Sequence, residues 1–128
     1  MTLEVALVSP ERILYNGEAS MVVCRTTEGE IAFLTDHAPF VGTLDIAPVR
    51  IITDDGPEIK AAVHGGFVEV RDNKVSILSD VAELPDQIDV ERARKAKDAA
   101  ERDRQEDEEA VVVATVRRAA LRLEVAGG

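Results

Sequence analysis

Residues 64–97, "HGGFVEVRDNKVSILSDVAELPDQIDVERARKAK", contain a change of grammar that restricts what this chain can become. Up to Glu83, short apolar runs alternate with turn residues, the pattern of strands. From Asp89 onward apolar residues return at helical spacing, and about forty residues pass without Gly or Pro before the final pair. Such a chain is expected to fold as a β domain over 1–84 and a helical appendage over 85–128.

With 128 residues there is room for one core, or a small core with an appendage. Aromatic residues make up 3% and Trp is absent, so the core must come from Val, Ile, Leu and Ala. That scarcity argues against stacking on bases. A net charge of −10 repels phosphate backbones and anionic lipid, which excludes nucleic acid as a partner. Residues 1–84 carry six basic and fourteen acidic side chains, and residues 85–128 carry nine and eleven. The cations therefore gather on the helical part, either to meet an acidic surface or to lace a solvated helix with ion pairs. The single cysteine, Cys24, lies in "MVVCRTT" and reads as a buried strand residue in a reducing compartment. Glu4 and Pro10 interrupt any N-terminal apolar stretch, and no run is long enough for a membrane span. The expectation is a soluble, cytoplasmic protein that meets a membrane only through a partner.

The β part divides into about eight to ten short strands, which predicts an antiparallel sandwich or flattened barrel. Asn16-Gly17, the "DDGP" segment and Asp72-Asn73 read as turns. Pro48 suggests an edge or a bend, and Gly65-Gly66 a bulge or sharp bend. "LPDQ" is the linker. Asp89 is a good N-cap, with Glu91 in the first turn. Ala93, Ala96 and Ala100 form a small-residue face on the first helix. On the second, Val112, Val116, Ala119, Ala120 and Leu123 share a side, with Arg118 and Arg122 nearly opposite. The acidic run 106–109 between them permits a folded hairpin or one extended helix.

Neither histidine has a nucleophile or ligand set at a recognisable spacing. His37 would organise its loop, and His64 would close a strand ahead of the glycine pair. Gly65-Gly66 lies between strands rather than in a phosphate-binding strand–loop–helix unit. The residues themselves therefore indicate a non-enzymatic β domain with a helical tail, requiring no cofactor.

Four segments, in order, resemble the epsilon subunit of bacterial F-type ATP synthases: "VSPERILYNGEA", "TTEGEIAFLTDHAPFVGTLDIAPVRI", "AAVHGGFVEVRDNKVSILSDVAE" and "IDVERARKAK". The resemblance covers nearly the whole chain. It departs at Ala32, where the family usually carries Gly, so that a side chain there would restrict φ and alter the loop. It implies an α+β fold: an antiparallel β-sandwich of about ten strands, followed by an antiparallel two-helix hairpin. It implies a non-catalytic rotor subunit at the cytoplasmic face of the membrane, bound to the gamma subunit and standing on the ring of c subunits. Glu30 matches the acidic loop residue facing that ring, and His37, Ala38 and Pro39 match the loop at the same end. An ordinary solvated turn acid is the other reading of Glu30. The helices would regulate the complex, folded in one state and extended into the catalytic head in another. Extended, Arg117, Arg118 and Arg122 would meet the beta subunit, with alpha nearby, and restrain ATP hydrolysis. Surface arginines that only aid solubility are the alternative. Some members also bind ATP in the folded hairpin. Here Glu83, Ile88, Asp89, Arg92, Ala93, Arg118 and Arg122 match that motif, whereas Ala99 replaces an arginine and weakens the match. A free-standing ATP-sensing module is the competing reading.

Overall fold

The computed structural model describes residues 2–54, 56–102 and 109–127. Its strands are β1 (Leu3–Ser9), β2 (Arg12–Ala19), β3 (Met21–Thr26), β4 (Gly29–Phe33), β5 (Phe40–Ile52), β6 (Ile59–Arg71), β7 (Lys74–Leu78) and β8 (Ala82–Glu83). A 3₁₀ turn, Pro85–Gln87, leads into α1 (Val90–Arg102), and α2 (Glu109–Gly127) follows.

Eight strands are described where about ten were expected, because four short runs merge into two long ones. "TLDI" and all but the last residue of "VRIIT" are part of β5, and "FVEVR" and all but the first residue of "EIKAAVH" are part of β6. Pro48 stays inside β5, at a point where the ladder to β3 is interrupted between Val23 and Thr26. The missing N–H thus falls where no β3 partner waits for it. In β6 the chain bends without breaking: Gly65 and Gly66 have φ of 88° and 125°. A Cβ on Gly66 would lie 2.1 Å from the Leu78 carbonyl oxygen, so only glycine admits this approach. The buried Ser79 hydroxyl donates to the Gly65 carbonyl at 2.6 Å and ties the bend to the end of β7.

That bend changes the partner of β6. Before it, Ala62 and Val63 pair with β8; after it, Phe67–Arg71 pair with β7. The sheet order is β2-β1-β7-β6-β5-β3-β4, with β8 beside β6. Its two flanks face each other across one core: Leu3, Val5 and Leu7 of β1 and Val75 and Ile77 of β7 join Val22, Cys24 and Phe33. The ends of the strand path do not pair, so this is a sandwich rather than a closed barrel. One ladder, β1 with β7, is parallel because these strands are joined by the whole intervening domain rather than by a turn.

Asp72 and Asn73 both have positive φ, as a two-residue hairpin of this hand demands. Asn16 and Gly17 do not form the expected turn: they continue β2 opposite Ala6 and Val5. Tyr15 lies over Gly17 and donates to the Glu18 carbonyl at 2.7 Å, so the glycine makes room for a ring. His64 likewise sits inside β6 rather than closing a strand. Cys24 is buried, and desolvation followed by the Glu30 charge pushes its thiol up to about 12.

α1 packs along α2, and two packed helices so close in sequence form an antiparallel hairpin. The acidic run 106–109 lies largely outside the described residues. On α1, Ala93 is buried and Lys97 and Ala100 are half-buried, while Ala96 is exposed. The inward face follows i, i+4, i+7 rather than the 93/96/100 series.

Replacing Gly29 by Ala should cost about 1–3 kcal/mol from its positive φ alone, since the space around it is open. Gly66→Ala adds a backbone collision and should cost more, measured by urea denaturation. Equal losses would show that the Leu78 carbonyl can move aside.

Candidate functional site

α2 is held on the outer face of the sandwich by three kinds of contact. The first is an apolar seam in which Ala62 of β6, Ile88, Leu121 and Val125 form a small cluster, with Ile46 and Ala126 at its edge. Leu121 and Val125 are one helical turn apart and point into the sheet. The helical spacing groups Val112, Val116, Ala119, Ala120 and Leu123 on one side. Ala119 is indeed buried, but it lies about 200° around the helix from Leu121. α2 is therefore covered on two sides, and the i, i+4 pair Leu121–Val125 was the available signal for the second. The side chain of Val112 lies outside the described residues.

The second contact is an ion pair between Arg117 and Asp45 of β5, at 2.8 Å. Partial burial pushes the Asp45 carboxyl up, but the Arg117 hydrogen bond, the Ile46 N–H and the Arg117 and Arg25 charges outweigh it and hold it below the usual range.

The third is a half-buried polar chain. Arg122 Nε donates to Glu83 Oε1 at 2.7 Å, and the same oxygen lies 2.9 Å from His64 Nε2. The His64 side chain is 2% exposed, and its Nδ1 has no hydrogen-bond partner among the described residues. Burial first, then the Arg122 charge, holds the imidazole below its ordinary pKa, so it is neutral and donates Nε2–H to Glu83.

Other residues singled out from the sequence fall around this seam. Ile88 is buried beneath α2, and Ala93 is buried in the first turn of α1. Asp89 caps α1, its Oδ1 accepting from the Arg92 N–H at 3.0 Å, and Arg92 itself is exposed. Arg118 is exposed on α2, close enough to act electrostatically on His64. The fold thus joins Glu83 to Arg122 and brings Arg118 near, while Asp89 is occupied in capping. Sequence reasoning missed His64 and Asp45 as contacts of the helix, because a histidine in a strand carries no sign of what will cover it.

Glu30 is the second residue of β4, opposite Arg25, rather than a loop residue. Ala32 is in the same strand opposite Val23, in extended backbone that needs no glycine, so its side chain imposes no change of loop. Between α2 and the sheet, Glu30, Arg25, Lys60 and Arg117 line an open groove of about 890 Å³. His37 and Pro39 lie beyond the other end of β4, in the loop before β5. The His37 ring meets Phe33 edge-on at 4.9 Å, and its Nδ1 is 2.6 Å from the Ala38 carbonyl. Asp36, with φ of 63°, donates its backbone N–H to Asn73 Oδ1 at 2.6 Å, which clasps this loop to the β6–β7 turn.

On the opposite face runs an exposed apolar row. Register pairs Ile13 with Val8, Val8 with Leu78, and Leu78 with Phe67, crossing β2, β1, β7 and β6. Ile13, Phe67 and Leu78 are each more than half exposed.

The β-sandwich model of the ATP synthase delta/epsilon chain matches residues 2–85. An ATP synthase epsilon chain of Streptomyces coelicolor is 45% identical over 126 residues, 98% of this chain and 96% of its own. The chain belongs to the ATP synthase epsilon family. A second epsilon chain, from Brevibacillus brevis, is 53% identical over 102 residues, 80% of this chain and 76% of its own. The fold is similar to a chain in the cryo-EM structure of the Euglena gracilis mitochondrial ATP synthase, OSCP/F1/c-ring, with a TM-score of 0.76. That likeness covers 98% of this chain and 78% of the other at 24% identity. A chain of the Tetrahymena thermophila mitochondrial ATP synthase central stalk and c-ring gives 0.61 at 20% identity, covering 96% and 93%. Among the described residues no helix is long and apolar enough to cross a membrane.

The two ion pairs that hold α2 on the sandwich of this epsilon-family chain should differ in weight. Arg117 and Asp45 are largely solvated and should couple by roughly 0.2–1 kcal/mol. Arg122 and Glu83 are more enclosed and should couple by about 1.5–3 kcal/mol. Double-mutant cycles read through hydrogen exchange of α2 amides would test this order. Because the Asp45 pKa is depressed, its contribution is complete above the ordinary carboxylate value and fades as pH falls through the depressed one.

Proposed function

We propose that this chain is a non-catalytic rotor subunit of a proton-translocating ATP synthase, coupling the c ring to the gamma subunit and modulating ATP hydrolysis through α2. It works at the cytoplasmic face of the bacterial membrane, which it meets only through the complex. The observation that carries the proposal is the modest attachment of the helices. The sandwich has its own core, whereas α2 rests on four buried apolar residues and the polar contacts of Arg117 and Arg122. Burying three large side chains is worth on the order of 5 kcal/mol before the cost of ordering the helix. An attachment of that size can be exchanged for contacts elsewhere, as a two-state regulator requires.

The apolar row Ile13–Val8–Leu78–Phe67 is the surface we assign to gamma, since it continues across four strands and faces away from the helices. Glu30, His37 and Pro39 remain the residues assigned to the c ring. The docked hairpin is the relaxed state. In the extended state Arg117, Arg118 and Arg122 exchange their present surroundings for acidic groups of the beta subunit, beside alpha. ATP as a regulatory ligand is supported by the docked hairpin joining Glu83 to Arg122 with Arg118 near, and by Ile88 in the seam just ahead of Asp89, Arg92 and Ala93. Ala99 counts against tight binding, and calorimetry with MgATP decides it: affinity below about the millimolar level supports a sensor, and none removes ATP from the mechanism.

Arg122 works in both states, so its removal is ambiguous. Arg118 is exposed in the docked state, so Arg118→Ala should raise ATP hydrolysis by the assembled enzyme. Glu83→Gln loosens the docked state and should lower it. Changes of the same sign would overturn the two-state reading. Phe67→Ser should weaken gamma binding without unfolding the chain. Substituting Glu30 should reduce ATP-driven proton pumping more than gamma binding, and equal loss of both would reduce Glu30 to a structural role.

A further inference from the structure

We infer that His64 is a proton-operated latch for α2: the neutral imidazole accepts the helix above it, and the protonated imidazole drives the helix off. The inference rests on the proposed exchange of α2 between docked and extended states, and names a signal that biases it.

The argument begins with geometry. His64 lies on the helix-facing side of β6, two residues beyond Ala62 of the apolar seam and opposite Ile46 of β5. The charged groups that face it are Glu83 from β8 and Arg122 and Arg118 from α2. From β5 it meets Ile46, whose neighbour Asp45 is already engaged by Arg117. One Glu83 oxygen receives both Arg122 and His64. Neutral His64 needs only that one acceptor. Protonation adds an N–H at Nδ1, a buried atom with no partner among the described residues, and a positive charge beside two arginines. Glu83 cannot compensate fully, because its facing oxygen is shared.

When α2 lifts, both arginines leave with it. Glu83 stays with β8, and the imidazole regains water. The undocked state therefore binds the proton more readily than the docked state, and acid must favour undocking. The sign follows from the depressed docked pKa. Docking is at full strength above the undocked histidine value, weakens as pH falls through it, and stops changing below the docked value. The limiting slope is about tenfold in the docking constant per pH unit for one proton.

The test is a pH titration of the full chain with dyes on Gly127→Cys, an exposed site in open space, and Glu69→Cys, exposed on the sandwich. Buried Cys24, with its thiol pushed up to about 12, will not compete for the dyes. Between pH 7.5 and 5.5 the docking constant should fall steadily with pH, never more steeply than about tenfold per pH unit. In His64→Gln, whose amide still donates to Glu83 but does not titrate, it should stay constant. The His64 pKa, followed by NMR, should rise in Arg122→Ala. A flat wild-type titration, or an equal transition in His64→Gln, would overturn the latch.

Val125→Asp separates this from the parent reading. It puts an unpaired carboxylate in the seam and should release α2 at every pH while the sandwich stays folded. Release in that variant with a flat wild type refutes the latch alone. If that variant stays docked, or loses the sandwich as well, the detachable helix and the latch fail together.

Discussion

Everything in this molecule depends on the bend of β6 at Gly65-Gly66. A straight strand would continue one flat sheet with one apolar face open to water. The bend brings the Leu78 carbonyl against Gly66 and folds the sheet over itself, so β1 and β7 close on β3 and β4. It also divides β6 by task. The residues after it carry Phe67 on the exposed apolar row, and those before it carry Ala62 and His64 under α2. Two surfaces with different roles are thus set back to back by two glycines.

The helix seat shows how a regulator can be stable and still reversible. Its apolar seam is small, and its polar contacts are few and flank it on two strands, Asp45 on one side and Glu83 on the other. The Arg117–Asp45 pair is solvated and adds direction more than energy. The Glu83 cluster is drier, so its charges interact strongly and the histidine within it must stay neutral. Burying a titratable group where a helix must come and go ties the position of that helix to proton concentration. The same residue placed in the sandwich core would only destabilise the fold.

Much of this site is legible in the sequence, but in fragments. The Asp89 cap followed from residue type and position, because capping is a local hydrogen bond. The turn at Asp72-Asn73 followed for the same reason. Asn16-Gly17 carried an equally good turn signal and became strand, since the ladder to β1 and the Tyr15 ring override a local preference. Glu30 was read as a loop acid and is paired in β4. Periodicity identifies one apolar side of α2, the one that holds Ala119, whereas this helix is also covered at Leu121 and Val125.

The sequence by itself determined the β-then-α order, the aliphatic core, and the resemblance that pointed to an ATP synthase subunit. These rest on composition, local hydrogen bonding and periodicity, which are properties of neighbours along the chain. Tertiary structure alone decided that β5 and β6 are continuous, that Leu121 and Val125 seat the hairpin, and that Glu83 is shared by Arg122 and His64. Those contacts join residues 19 and 39 positions apart. No local pattern encodes them, because each depends on how one bent strand turns its face toward a helix formed much later in the chain.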